Sequence, residues 1–194
     1  MTRIRRESLL PLEIYAKQRN QIRDEVIARK RARTVQLGDA LTLFFEDEMT
    51  MRYQIQEMLR VERIFDEDGI QAEIDVYSPL VPDGTNWKAT MMLEYDDPVV
   101  RREQLGLLLG IEDRLWVAVE GFPRVYPIAD EDLGRDTSDK TSAVHFVRFE
   151  LDPAMIRALK GGARLSMGVN HPNYTYAISE VASPIRESLV GDLA

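Results

Sequence analysis

One carboxylate stands out in this sequence for where it falls. Residues from Met51 to Phe65, placed at about 100° per position, put Met51, Ile55, Met58, Leu59, Val61 and Phe65 on one broad apolar arc of a helix. Glu62 falls at the middle of that arc and Gln54 near its edge. A carboxylate aimed into a core is costly unless it is paired or protonated. Glu62 is therefore expected to meet a cation, with Lys88, Lys140 and an N-terminal arginine as the candidates. With Glu57 or Gln54 beside it, such a group can act as a base, a metal ligand or a hydrogen-bond acceptor. A structural ion pair is the plainer reading.

The second set of candidates surrounds a histidine. His145 is in strand phase with Ala143, Val147, Phe149 and Leu151, so it points to an apolar side. Just upstream, Ser138-Asp139-Lys140-Thr141-Ser142 gathers a lysine and three hydroxyls that can hold an anion, although such loops are more often plain turns. A lone histidine on an apolar face is usually a hydrogen-bonded core residue, and His171 is read in the same way. Together these residues define one enzyme-like or ligand-binding alternative: Gln54, Glu57 and Glu62 facing Lys88, Lys140 and His145, with Glu62 as base, His145 as proton shuttle and the lysines on an anionic group. Asp130-Glu131-Asp132 with Gly134 and Asp136 lacks the alternation and the later glutamate of a calcium loop. Gly161-Gly162 follows a helix instead of opening one, so it does not cradle phosphate. The chain contains no nucleophile elbow, dinucleotide fingerprint or Walker loop.

Composition narrows the chemistry further. The chain has no cysteine and two histidines, which removes thiol catalysis, disulfides, cysteine-ligated metal and a histidine-rich site. No metal or cofactor is expected. A net charge of −8 disfavours general binding to nucleic acid or anionic membrane. The basic run Arg29, Lys30, Arg31 and Arg33 reads more simply as cations at a helix C-terminus, solvated on its exposed face, than as a nucleic-acid arm. No run approaches membrane-spanning length and no signal-type stretch follows the basic start, so a cytoplasmic setting is expected. The 44% hydrophobic content is enough for a core.

The elements that must position these residues are expected to form one α+β domain over 1–194. Its helical part, 1–80, includes a short hairpin, and its β-rich part covers 86–182. Ser8 and Asn20 cap two successive helices, and Gly38-Asp39 closes a two-residue hairpin between Thr34–Leu37 and Ala40–Phe45. Pro79 to Thr85 marks the boundary. Beyond it, strand, helix, strand and strand occur twice, each helix opening on an Asp-Pro pair, at Asp97-Pro98 and Asp152-Pro153. The two units are expected to form an internal pseudo-repeat packed as one mostly antiparallel sheet. Val125 to Ile128 is the return strand of the first unit, and Ser183 to Leu193 a closing helix.

Several runs are specific enough to carry a resemblance. Arg33-Thr34-Val35-Gln36-Leu37-Gly38, Phe45-Glu46-Asp47, Tyr53-Gln54-Ile55-Gln56-Glu57-Met58-Leu59-Arg60, Pro82-Asp83-Gly84-Thr85-Asn86-Trp87-Lys88-Ala89-Thr90 and Asp139-Lys140-Thr141-Ser142-Ala143-Val144-His145-Phe146 resemble a bacterial family of uncharacterised single-domain proteins. Genes of that family often lie beside those for a rubrerythrin-like protein and an iron–sulfur oxidoreductase. The resemblance implies an accessory protein of a redox system, with one of those two proteins as partner; it assigns no activity. Gln54, Glu57, Arg60, Trp87, Lys88, Lys140, Thr141 and His145 lie within the matching runs and, with Glu62, are the expected partner- or ligand-binding residues. A homo-oligomer is left open.

Overall fold

The computed structural model describes residues 4–131, 137 and 139–194. Asp132, Gly134, Asp136 and Ser138 of the acidic run and its following loop lie outside the described residues.

The chain opens with a single helix, α1 (Leu12–Arg31), not the expected pair. An asparagine inside a helix costs well under about 1 kcal/mol in propensity, and packing of buried Tyr15 and Val26 outweighs it. Pro11 occupies the N-cap position, while the Ser8 hydroxyl donates to the Arg5 carbonyl in a preceding 3₁₀ turn. β1 (Thr34–Leu37) and β2 (Leu41–Phe45) then pair with Leu37 opposite Leu41, which makes the hairpin loop three residues long, Gly38-Asp39-Ala40.

Asp47 caps α2 (Glu48–Glu62) by accepting from the Thr50 N–H, and Thr50 returns a bond through its hydroxyl. Asp66 caps α3 (Glu67–Tyr77). Met51, Ile55 and Leu59 of α2 meet Ile70 and Ile74 of α3, with Ile4, Leu9 and Val81, in a small separate core.

The β-rich part starts with β3 (Asn86–Leu93) and α4 (Pro98–Leu107), followed by β4 (Leu115–Val119) and β5 (Ile128–Ala129). It continues through β6 (Val144–Glu150), α5 (Pro153–Lys160), β7 (Leu165–His171), β8 (Tyr174–Ile178) and α6 (Ser183–Val190). Both Asp-Pro pairs behave as expected: Asp97 and Asp152 each accept two backbone N–H groups at the start of their helices.

The architecture is α+β, but the strands divide between two sheets where one was expected. Among the described residues, one has five strands in the order β1-β2-β3-β6-β5 and the other three, β4-β7-β8. All strand pairs are antiparallel. Each Asp-Pro helix carries the chain from one sheet to the other, so corresponding strands of the two units pair with each other: β3 with β6, and β4 with β7. Leu115 pairs with Val169 and Val119 with Leu165, a register that is unchanged when the two strands exchange roles. The expected return strand is shared between the sheets. Val125 bridges Val117 of β4, and Ile128 joins β6. Pro123 and Pro127 lack the N–H groups that a continuous ladder needs.

The main core takes one face from each sheet. Trp87, Ala89, Met91 and Leu93 of β3, with Val147 and Phe149 of β6, join Leu115, Val117, Val119, Leu165, Met167 and Val169 of the smaller sheet. The alternate residues Lys88, Thr90, Phe146 and Arg148 occupy the other face of the large sheet. Among the described residues, no helix is long and apolar enough to cross a membrane.

One tyrosine links the two sheets. The Tyr174 hydroxyl donates to the Leu37 carbonyl at 2.7 Å and accepts from the Ala40 N–H at 3.1 Å, spanning the β1–β2 turn. It fits because position 38 is glycine: φ is +81°, and a Cβ there would stand 2.5 Å from the hydroxyl oxygen. Gly38→Ala is accordingly expected to lower stability by about 2 kcal/mol in urea melts. Tyr174→Phe removes the clashing oxygen, so the double variant should lose less than the sum of the two single changes.

Candidate binding groove and a sealed histidine network

The groove begins with where β2 ends. Glu46 follows Phe44 in strand phase on the outer face of the large sheet, and its N–H donates to the Lys88 carbonyl at 2.8 Å. The Arg33 guanidinium fixes this chain end from behind, donating to the Phe45 and Glu46 carbonyls at 2.9 and 3.0 Å. The Glu46 side chain is 5% exposed, and each of its oxygens accepts one hydroxyl at 2.7 Å, from Thr50 on α2 and from Thr90 on β3.

Glu46 lines two clefts along the same sheet face. The larger, of about 500 Å³, lies against Leu80, Lys88, Ile128, Phe146 and Arg148. The smaller, of about 280 Å³, is bounded by Met51 and Gln54 of α2, with Tyr77, Leu80, Thr90 and Phe146. Shared walls at Glu46, Leu80 and Phe146 make them neighbouring parts of one groove between α2–α3 and the sheet. Lys88 donates to the Pro79 carbonyl. Burial lowers its ammonium pKa, against the opposing pull of Asp83. Arg148 is held by Glu131 at 2.7 Å and by Glu150.

Of the residues expected to act together, Gln54 and Lys88 reach this groove and the others do not. Glu62 is the principal correction. It is the last residue of α2 and is exposed, because Arg63 adopts a left-handed conformation (φ 57°) and ends the helix there. The apolar arc was drawn too far round: Val61 and Phe65 are 60% and 67% exposed, and the true stripe is Met51, Ile55 and Leu59. Glu46 is the buried carboxylate at the helix–sheet seam. The signal for it was strand phase, since Phe44 and Glu46 alternate with the core residues Leu43 and Phe45.

Glu57 and Arg60 lie away from the groove, on the side of α2 that meets α1. Glu57 accepts from the Tyr15 hydroxyl at 2.6 Å and from Arg19 at 2.8 and 2.7 Å, with Arg60 beside it at 3.1 Å. Arg19 holds the Glu57 pKa down to about 2 despite burial, helped by Arg60 and Tyr15. Burial, then the hydrogen bond to Glu57, pushes the Tyr15 phenol up. Trp87 is a core residue whose indole N–H donates to the Leu189 carbonyl at 2.8 Å. Lys140 is exposed.

Thr141 and His145 do come together, but on the core side of β6. His145 is fully buried, with Nδ1 2.6 Å from Asp130 Oδ2 and Nε2 2.8 Å from the Thr141 hydroxyl. Glu112 Oε2 stands 3.8 Å from Nε2. The carboxylate–imidazole–hydroxyl order is that of a nucleophile relay. Thr141 is 1% exposed and the imidazole is fully buried. Phe146, the next residue, faces the groove. The expected combination of Gln54, Glu57 and Glu62 with Lys88, Lys140 and His145 therefore does not form: strand alternation sends His145 to the opposite face from Lys88 and Phe146. His171 also has a structural role, with Nε2 3.1 Å from the Leu109 carbonyl.

Two arginines of the basic run are engaged, while Arg31 is exposed. Arg29 pairs with Asp47 at 2.6 Å, and Arg33 is 1% exposed, bonded also to Ser188 and Asp192. Asp47 is buried, which raises its pKa, but the Thr50 N–H, Arg29 and Arg33 outweigh this and lower it.

Two substitutions separate these roles. Glu57→Gln is expected to cost about 2 kcal/mol at neutral pH. Because the folded pKa is depressed, wild type holds its advantage above the ordinary value of 4.5 and loses it as pH falls through about 2. Urea melts at pH 7 and pH 3 should show the difference shrinking. His145→Ala should destabilise by about 3 kcal/mol through the lost hydrogen bonds to Asp130 and Thr141 and the cavity. Ligand or partner binding in the groove should then be unchanged when measured by calorimetry below the melting range.

No match is found among curated proteins. A protein of unknown function from Burkholderia pseudomallei K96243, with a crystal structure at 1.90 Å resolution, is 55% identical over 100% of this chain and 100% of that one, with a TM-score of 0.95. Residues 3–193 match the family described as "Protein of unknown function (DUF3501)", and the chain belongs to that family.

Proposed function

We propose that this is a binding protein that works through the α2–α3/sheet groove, in support of an iron–sulfur or rubrerythrin-type redox system. The observation that carries the binding reading is the groove itself. It sets charged groups, Glu46, Lys88 and Arg148, beside an apolar wall of Leu80, Ile128 and Phe146 on a sheet face. A concave, largely apolar surface with a few fixed polar groups is the usual form of a binding site. Sealing of the imidazole and the threonine hydroxyl in the core favours binding over catalysis.

The partner class rests on the family resemblance, in which genes for a rubrerythrin-like protein and an iron–sulfur oxidoreductase are frequent neighbours. An accessory role also suits a chain without cysteine. The test is an anaerobic pull-down of each candidate partner with the full chain and with an Ile128→Asp variant. Ile128 is 44% exposed, so the change leaves the core intact. Wild type should retain the partner, and the variant should lose capture by about tenfold or more. Recovery of neither partner by wild type would overturn the redox assignment, and undiminished capture by Ile128→Asp would remove the groove from it.

A further inference from the structure

Resting on the reading of the groove as the binding surface, we propose that it takes a small zwitterion: an organic molecule bearing an ammonium that pairs with Glu46 and a carboxylate that pairs with Lys88. Glu46 and Lys88 are cross-strand neighbours on the outer sheet face, joined through the backbone by the Glu46 N–H and the Lys88 carbonyl. Opposite charges in that relation ordinarily pair with each other. Here each is tied to a neutral group instead. Glu46 accepts the Thr50 and Thr90 hydroxyls, one on each oxygen, and Lys88 donates to the Pro79 carbonyl.

Neither ion meets an opposite charge within 4.0 Å among the described residues. Several neighbouring ions differ in this respect, although Asp83, which lines the same cleft, is likewise bonded among the described residues only to neutral groups of Thr85 and to Asn86 through its N–H. Asp47 has Arg29, Glu57 has Arg19 and Arg60, Glu131 has Arg148, and Asp192 has Arg33. A carboxylate that is 5% exposed and lacks a counter-ion is costly to hold in a low-dielectric wall. A ligand ammonium relieves that cost. Lys88, with its pKa lowered by burial, gains in the same way from a ligand carboxylate.

Both ions line the larger cleft, and Leu80, Ile128 and Phe146 give the body of the ligand an apolar surface. A volume of about 500 Å³ suits a molecule of amino-acid size or somewhat larger. Thr50 and Thr90 set the direction of the Glu46 carboxylate before any ligand arrives, which reduces the ordering that binding requires.

The test is isothermal titration of the full chain with L-leucine, 4-aminobutyrate and 6-aminohexanoate, which place the two charges at increasing separations. Isopentylamine and 4-methylpentanoate each keep one charge and are the controls. At least one zwitterion should bind, with each one-charge control at least about tenfold weaker. Glu46→Gln and Lys88→Gln should each weaken that zwitterion by about tenfold or more. Lys88→Gln decides the matter if Glu46→Gln lowers the melting temperature. Absence of heat from all three zwitterions up to about 10 mM would overturn the proposal, as would equal binding by a control or indifference to both substitutions. If no zwitterion binds while partner capture still depends on Ile128, the groove remains the binding surface and only its assigned ligand falls.

Discussion

The Arg33 guanidinium is 1% exposed and bonds to two separated parts of the chain, residues 45–46 and 188–192. Its Nε donates to the Phe45 carbonyl, Nη2 to the Glu46 carbonyl and to Asp192, and Nη1 to Ser188 and Asp192. Asp47, the cap of α2, lies 3.6 Å away. One planar fork thus joins the start of β1, the end of β2, the first turn of α2 and the C-terminal helix. A lysine cannot reproduce this, because it presents a point charge without the fork. A buried charge stripped of its partner costs about 3–5 kcal/mol, so the C-terminal segment and the hairpin are coupled through this residue. Glu46 inherits its position from the same contact, since its carbonyl is held by Arg33 while its side chain turns to the opposite side.

The two-sheet arrangement gives the groove a firm floor. β3 and β6 are central strands of the larger sheet, with Trp87, Met91, Val147 and Phe149 locked in the core on one face. Side-chain alternation then presents Lys88, Thr90, Phe146 and Arg148 on the other. The groove residues sit on strands whose opposite faces are close-packed, which suits a site that must keep its geometry. The smaller core of α2 and α3 stands across from them and contributes Met51, Gln54, Tyr77 and Leu80. The two faces of β6 differ: His145 is buried among a relay-like set of partners, while Phe146 lines the groove.

Much of the plan was legible in the sequence. The Asp-Pro pairs marked α4 and α5 because a carboxylate at the cap and proline in the first turn satisfy the same local rule wherever they occur. The 2-residue alternation of β3 and β6 located the core face. It also placed His145 on the apolar side. What failed was helix phase beyond a helix end. Phe65 lies beyond Arg63, which turns left-handed and ends α2, and Val61, in the last turn of the helix, is 60% exposed. Glu62, expected at the helix–sheet seam, is exposed, and the buried carboxylate there is Glu46, bonded to two hydroxyls instead of a cation.

The sequence by itself therefore determined the local structure and the inward face of the strands, since caps, proline and side-chain period act over a few neighbouring residues. Tertiary structure decided which strands pair, that they form two sheets, and that Arg33 is a buried tie instead of part of a solvated basic run. It also decided that Glu46 and Lys88, 42 positions apart in the numbering of the chain (88 − 46), share one groove wall without pairing. These outcomes depend on contacts between distant segments, where burial and charge compensation are settled by what packs opposite and not by neighbours in the chain.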